Sequence, residues 1–210
     1  DRAAKVSRQM FDDDFGSLFD DSWAQIIAGA PAVRRQVQHH IDAARVLCLT
    51  ETPNNILMWS HYAANHTGIV IALAPAANGS SPWDLARPVR YAAELPTLDD
   101  EEMLSDILAG RKTFIGSVLV EHLIYTKSHI WAYERERRLV TRRRPGAVGD
   151  YEDNLFHPEE IGGIIFGSRA PDEDIKAVCE IVSAKYPSAS LMQAKLNRDA
   201  FDLEIVPFSS

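Results

Sequence analysis

Residues 46–73 read VLCLT, ETPNN, ILMWSHYAANH, TG and IVIAL. Short apolar runs bounded by turn residues are strand signals, so strands are expected at Val46–Thr50 and Ile69–Leu73. The second run has no polar position, which predicts a central strand covered on both faces. Between the two, Thr52 can cap a helix with Pro53 at its first position, and Asn54 and Asn55 compete as caps. The helix is expected from about Asn55 to His66, closed by Gly68 in the left-handed conformation. It carries Trp59, Ser60, His61, Tyr62, Asn65 and His66 between two core strands. Helical spacing places Met58, His61 and Asn65 on one stripe and Trp59, Tyr62 and His66 on another. Aromatic faces beside His and Asn suit the wall of a ligand pocket, with rings for a base or sugar and polar groups for its edge. The plainer alternative is a half-buried helix whose polar tips are satisfied locally. His61 and His66 lie about 140° apart around a helix, which argues against a shared metal.

Outward from this stretch, the chain divides into an N-terminal helical segment, 1–45, and an α+β region, 46–210, within one domain overall. Phe11, Phe15, Leu18, Phe19 and Trp23 fall at helical spacing beside the acidic run Asp12–Asp14. Pro31 opens a helix with Val33, Val37, Ile41 and Ala44 on one stripe. Residues 74–98, rich in Pro, Asn, Gly and Ser, form a surface loop around a short strand near Val89–Tyr91. Thr97 and Asp100 approximate a capping box before a helix with Met103, Leu104, Ile107 and Leu108 on one face. A second helix, about Lys112 to Lys127, buries Phe114, Ile115, Val118, Leu119 and His122. Strands are expected after Trp131, at Asn154–His157 and at Ile161–Phe166. Pro171 starts a helix with an acidic first turn and Lys185 in its last, both suited to the helix dipole. Its core face is Ile175, Val178, Cys179 and Val182. Strands near Leu191–Leu196 and Phe201–Val206 close the chain. Segregated helices and strands predict an α+β fold, with a mixed, mainly antiparallel central sheet and helices packed around it.

The chain of 210 residues is 46% hydrophobic and 25% charged, with a formal net charge of −8. That sign argues against a nucleic-acid partner, which favours a basic surface. No apolar run reaches membrane-spanning length and no signal peptide is evident, so no membrane association is expected. Cys48 and Cys179 lie in apolar runs and read as reduced core thiols of a cytoplasmic protein. The chain begins at Asp1 without Met, which suggests that its natural N-terminus is missing or trimmed.

A second constellation is Trp131, Tyr133, Glu134, Glu136 and Arg138. On an extended strand the two acids and Arg138 share a face. Paired carboxylates beside a guanidinium suit acid/base work or binding of ribose hydroxyls, one carboxyl raised by its neighbour and the other held ionised by the Arg. A surface strand lined by salt bridges is the competing explanation. Arg135 to Arg144 form a cluster able to bind one phosphate or to balance local acid. His122 and His129 would align if one helix ran through both. No P-loop, dinucleotide fingerprint or nucleophile elbow is present.

The run MWSHYAANHTG (58–68), then Val89 and Tyr91, then K-x-x-x-W-x-Y-E-x-E-x-R-L on Lys127, Trp131, Tyr133, Glu134, Glu136, Arg138 and Leu139, resembles a widespread bacterial domain-of-unknown-function family. Ile161, Ile164 and Gly167 fit its tail. The resemblance spans roughly residues 46–205. Arg137 departs from it, since members often carry Trp there. The family's usual opening, a short strand with an Asn-Asp-Pro-like turn, is absent. The resemblance supplies no reaction; the candidate ligand-binding residues, read from the residue types themselves, are Trp59, Ser60, His61, Tyr62 and His66, joined by Tyr91, Lys127, Trp131, Tyr133 and Arg138.

In outline the chain is also similar to ADP-ribosyltransferase-like domains. It shares an apolar strand ending in hydroxyl residues (Thr50, Thr52), an aromatic-rich helix and a late Glu-x-Glu. That similarity implies a nucleotide or NAD-type ligand, with NAD as cofactor or substrate. Glu136 would bind ribose, Glu134 would orient it, and Tyr62 or Trp59 would stack on nicotinamide. No metal is implied. The alternatives are a non-catalytic small-molecule or protein-binding module, and a metal-free hydrolase using Glu134 or Glu136 as general base.

Overall fold

A computed structural model describes residues 31–32, 34–35, 37–74, 81–94 and 116–209. The expected features at Phe11–Trp23, Val33, Pro75–Gly79, Thr97–Leu108, Phe114 and Ile115, and at the side chains of Val118 and Leu119, lie outside the described residues. The chain forms two compact units, 1–43 with 97–124, and 44–96 with 125–210. The described part of the first unit includes α1 (37–43) and α3 (Gly116–Ile124). Among the described residues no helix is long and apolar enough to cross a membrane.

The fold is α+β with mainly antiparallel pairing. Among the described residues of the second unit the strands divide among three sheets. β1 (Ala44–Thr50), β6 (Glu136–Arg142) and β3 (Arg87–Pro88) form one, in the order β1-β6-β3, with both pairings antiparallel. β2 (Ile69–Leu73), β7 (Ile161–Phe166), β8 (Ser190–Leu196) and β9 (Leu203–Pro207) form the second in that spatial order, with only β7–β8 parallel. β4 (Arg90–Ala92) and β5 (Thr126–Ser128) make a short parallel pair.

The four-stranded sheet is covered on both faces by alternation along β7. Ile165 points to α2 (Ile56–Tyr62), where it packs with Trp59, Ala63, Ala194 and Leu203. Ile164 and Phe166 point the other way, to α4 (Asp172–Lys185) and its face of Ile175, Val178, Cys179 and Val182. A period of two is what sends neighbours to opposite layers. β7 is therefore the doubly covered strand. β2, expected in that role, is an edge strand, and Ile71 on it is 52% exposed. β1 is likewise an edge strand, and Val46, Leu47 and Cys48 are exposed on it, so Cys48 is not a core thiol.

Several boundaries differ from expectation. α2 ends at Tyr62, and Asn55 caps it by accepting hydrogen bonds from the Leu57 and Met58 amides. Ala64, Asn65 and His66 all take positive φ, whereas Gly68 does not. Asn65 and His66 thus leave the helical stripes assigned to them. Gly68 serves close packing instead, since a Cβ there would lie 3.2 Å from the Ala63 carbonyl. The helix expected to reach Lys127 stops at Ile124, which puts Lys127 in β5 and breaks any alignment of His122 with His129. His122 is exposed, as is Ile41, and Ala44 opens β1 rather than extending α1. Residues 154–157 form no strand.

Candidate functional site

The second unit contains a hollow of about 360 Å³ between the β1–β6 pair and α2. Antiparallel register sets its polar face. Thr50 pairs with Glu136 and Cys48 with Arg138, so these four alternate onto one surface. Trp59, Tyr62, Ala63, Ile69 and Val70 supply the apolar side, and Lys127 and Glu134 complete the lining.

Glu134 reaches the hollow by a route other than strand periodicity. His129–Glu134 is a 3₁₀ helix, and Arg135 takes φ +46 before β6 begins at Glu136. This left-handed step, rare for a side chain of that size, turns both acids toward Lys127. The Thr50 hydroxyl donates to the Glu134 carbonyl at 2.7 Å and fastens the turn. Lys127 comes from β5, whose register sets it opposite Tyr91.

The carboxylates are 2% and 5% exposed, so their partners decide their state. Lys127 Nζ donates to Glu134 Oε2 and, at 3.0 Å, to Glu136 Oε2. Tyr62 Oη donates to Glu134 Oε1 at 2.8 Å. Arg138 grips Glu136 with Nε on Oε1 at 2.7 Å and Nη2 on Oε2 at 3.0 Å, the forked geometry guanidinium favours. The Glu136 amide donates to Tyr91 Oη at 2.7 Å. Burial alone would raise the Glu136 carboxyl. Hydrogen bonds from Arg138, Cys48 and Lys127 outweigh it and bring the pKa down to about 2. Lys127 is opposed by burial but raised by both glutamates. Cys48 is exposed at the strand edge, but partial desolvation of its thiol, which lines the hollow, and then Glu136 lift it to about 11. The hydrogen bond to Glu134, with burial, raises the Tyr62 phenol.

Of the residues expected at a site, Trp59, Tyr62, Lys127, Glu134, Glu136 and Arg138 share this hollow. Trp59 is 1% exposed, stacks on His66 and donates Nε1 to the Pro53 carbonyl, so it is a wall built into the core. Tyr62, 63% exposed, is the ring open to an incoming group. Tyr91 stands behind Glu136 and orients its backbone. Trp131 holds Lys127 over its ring at 5.1 Å and meets His61 edge-on, with Tyr133 beside it. Trp131 thus covers the lysine from outside the hollow's lining, and His61 and Tyr133 pack on Trp131 in turn.

Ser60 and His66 pair with each other, Oγ to Nε2 at 3.0 Å. The single Ser60 proton goes to the Ile56 carbonyl, also at 3.0 Å, so His66 donates through Nε2. Its Nδ1 is buried with no hydrogen-bond partner. The pair ties the turn after α2 to the helix. Arg135 and Arg137 meet Glu51, and Arg144 meets Glu152, so these three arginines balance local acid. Among the described residues no three His, Cys, Asp or Glu side chains gather as a metal would require.

Residue-type reading missed Cys48 and Thr50 as lining residues. Their i, i+2 spacing on a strand was the signal that placed them together. No family model, curated protein or solved structure matches the chain.

Proposed function

We propose that the hollow binds the sugar ring of a nucleotide or NAD-type ligand and promotes glycosyl transfer or cleavage at its anomeric carbon, in the manner of ADP-ribosyl transfer. The observation that carries this is the placing of two carboxylates on one lysine, under an exposed tyrosine, in a cavity of ligand size. The charges of Glu134, Glu136, Lys127 and Arg138 cancel, which suits a neutral, hydroxyl-rich ring rather than a bare phosphate.

The two acids take roles opposite to those implied by the outline similarity. Glu136 is clamped by Arg138 and Lys127 and anchors the site. Glu134 Oε1 is held on that side by the hydroxyl of exposed Tyr62, a partner that a ligand hydroxyl can displace. As the glycosidic bond breaks, its electron pair leaves with the base and positive charge grows at the anomeric carbon. The ionised Glu134 stabilises that charge. The oxygen of a water or acceptor hydroxyl forms the new bond, and its proton passes to Glu134.

Nicotinamide release from NAD, followed chromatographically, tests this. Wild type is expected to release it, and Glu134→Gln to lose at least about a hundredfold in rate, the scale for removing one transition-state electrostatic partner. One observation favours a second reading, a non-catalytic binding module: all four carboxylate oxygens already have protein partners. In that case NAD at about a hundredfold excess over its dissociation constant stabilises the fold by about 2.7 kcal/mol, with no nicotinamide released. Absence of both effects eliminates both readings of NAD.

A further inference from the structure

On the other side of the turn that carries Glu134 lies a second hollow, of about 440 Å³. Tyr133 and Arg135 line it, while Glu134 and Glu136 line the first. The left-handed backbone at Arg135 separates the two sets, so consecutive side chains are shared out between two cavities. Thr52 lines both. The hollows thus adjoin at Thr52 and along residues 133–136.

The second hollow differs from the first in chemistry. Its rings and apolar surfaces are unusually open. Phe201 is fully exposed and Leu57 is 48% exposed, although both sit beside a cavity rather than on a bare surface. Phe201 is held there by a pinned loop. Asn197 donates to Asp202 at 2.8 Å through its side chain, Asp199 N donates to Asn197 Oδ1, and Leu203 N donates to the Asn54 carbonyl at 3.1 Å. Asn54, Asp202 and Arg135 add an amide, a carboxylate and a guanidinium to the lining. Arg135 meets Glu51 only at 3.6 Å and its side chain is 63% exposed, so its planar face remains open to a ring.

We propose that this second hollow is a subsite for a planar nitrogen heterocycle, the nucleobase end of the ligand whose sugar occupies the first hollow. An aromatic side chain and a guanidinium plane stack on a base, and amide and carboxylate groups read its hydrogen-bonding edge. The assignment rests on the sugar-binding reading for its connection to catalysis, but the ring-binding chemistry stands apart from it.

Adenosine is the probe, titrated into the whole chain by calorimetry and by ligand-observed NMR. Phe201→Ala is a fully exposed change that leaves the core intact. Arg135→Gly removes the guanidinium at a φ glycine adopts freely. Each is expected to weaken adenosine binding about tenfold, the scale for deleting one stacking partner. Glu134→Gln should lower nicotinamide release at least about a hundredfold and leave the affinity for free adenine, which has no sugar to place in the first hollow, within about twofold. No adenosine binding by wild type overturns the subsite. So does binding that survives Phe201→Ala and Arg135→Gly, or adenine binding lost only in Glu134→Gln, which would place the ring in the first hollow. A chain that binds adenosine through Phe201 and releases no nicotinamide keeps the subsite and loses the transfer chemistry.

Discussion

The four-stranded sheet and the three-stranded sheet of the second unit are stabilised by different physics. Around β7, Ile164, Phe166 and Val182 are buried against one another in a hydrophobic cluster, and the one buried carboxylate beside the strand, Glu160, is held by neutral donors, the Ser81 hydroxyl and the His157 amide. Around β6, the buried charged side chains are Glu134 and Glu136, held by Lys127, Arg138 and Tyr62. Hydrophobic burial is non-directional and indifferent to protons. A buried ion network depends on each partner, and removing one leaves the others uncompensated. The first region should therefore respond to volume and the second to charge.

Phe166→Ala tests the apolar side and should have the largest effect. Phe166 is fully buried and its ring contacts Phe208. A loss of about 4 kcal/mol in urea unfolding is expected, nearly the same at pH 5 and pH 8. A strongly pH-dependent loss would erase the contrast between the sheets.

Lys127→Met comes next. It leaves two buried carboxylates facing each other, at a cost of about 3 kcal/mol near neutral pH. Adding Glu134→Gln should recover part of that loss, which a packing defect would not. If the double variant is no more stable than the single one, charge is not what Lys127 contributes.

The depressed Glu136 carboxyl gives a smaller, directional effect. Its folded-state pKa of about 2 lies below its ordinary 4.5. The unfolded chain therefore binds the proton first, and the stabilisation is present above pH 4.5 and lost as pH falls toward 2. The full shift corresponds to about 3 kcal/mol, which solvent screening reduces, so wild type should lose about 2 kcal/mol across that window, and Glu136→Gln should lack that component. The smallest expected change is Tyr62→Phe, at most about 1 kcal/mol, because the ring is largely exposed. An equal loss from Tyr62→Phe and Lys127→Met would show that the network is set by the phenol.

The same contrast explains what could be read from the chain. Apolar runs and periodicity gave β7, β8, α4 and the core face Ile175–Val182, because burial imprints its period on residue type. Periodicity misassigned β2, whose apolar run lies on an edge where Ile71 faces solvent. The acids at 134 and 136 and the lysine at 127 were legible as chemistry but not as geometry. Strand alternation put Glu134 and Glu136 on one face. The chain instead uses a 3₁₀ turn and one left-handed arginine to bring them together. Nothing in the composition of residues 129–135 announces that turn. Likewise, the three consecutive positive-φ residues 64–66 contain no glycine; Asn65 and His66 are types that tolerate that region, but the unbroken run with helix-forming Ala64 reads as a continued helix.

Gly167 lies past the end of β7, outside the lining of the hollow, yet it seats the turn that follows Tyr62. A Cβ there would fall 2.0 Å from the His66 carbonyl oxygen, and the Gly167 amide donates to the Gly68 carbonyl at 2.9 Å. The turn leaving α2 can seat against the sheet only because that position is bare. A mutational scan should therefore find intolerance at a site far from any chemistry, with even alanine displacing the phenol from its acid. Selection for a pocket would then be recorded most strictly in an atom the protein does not have.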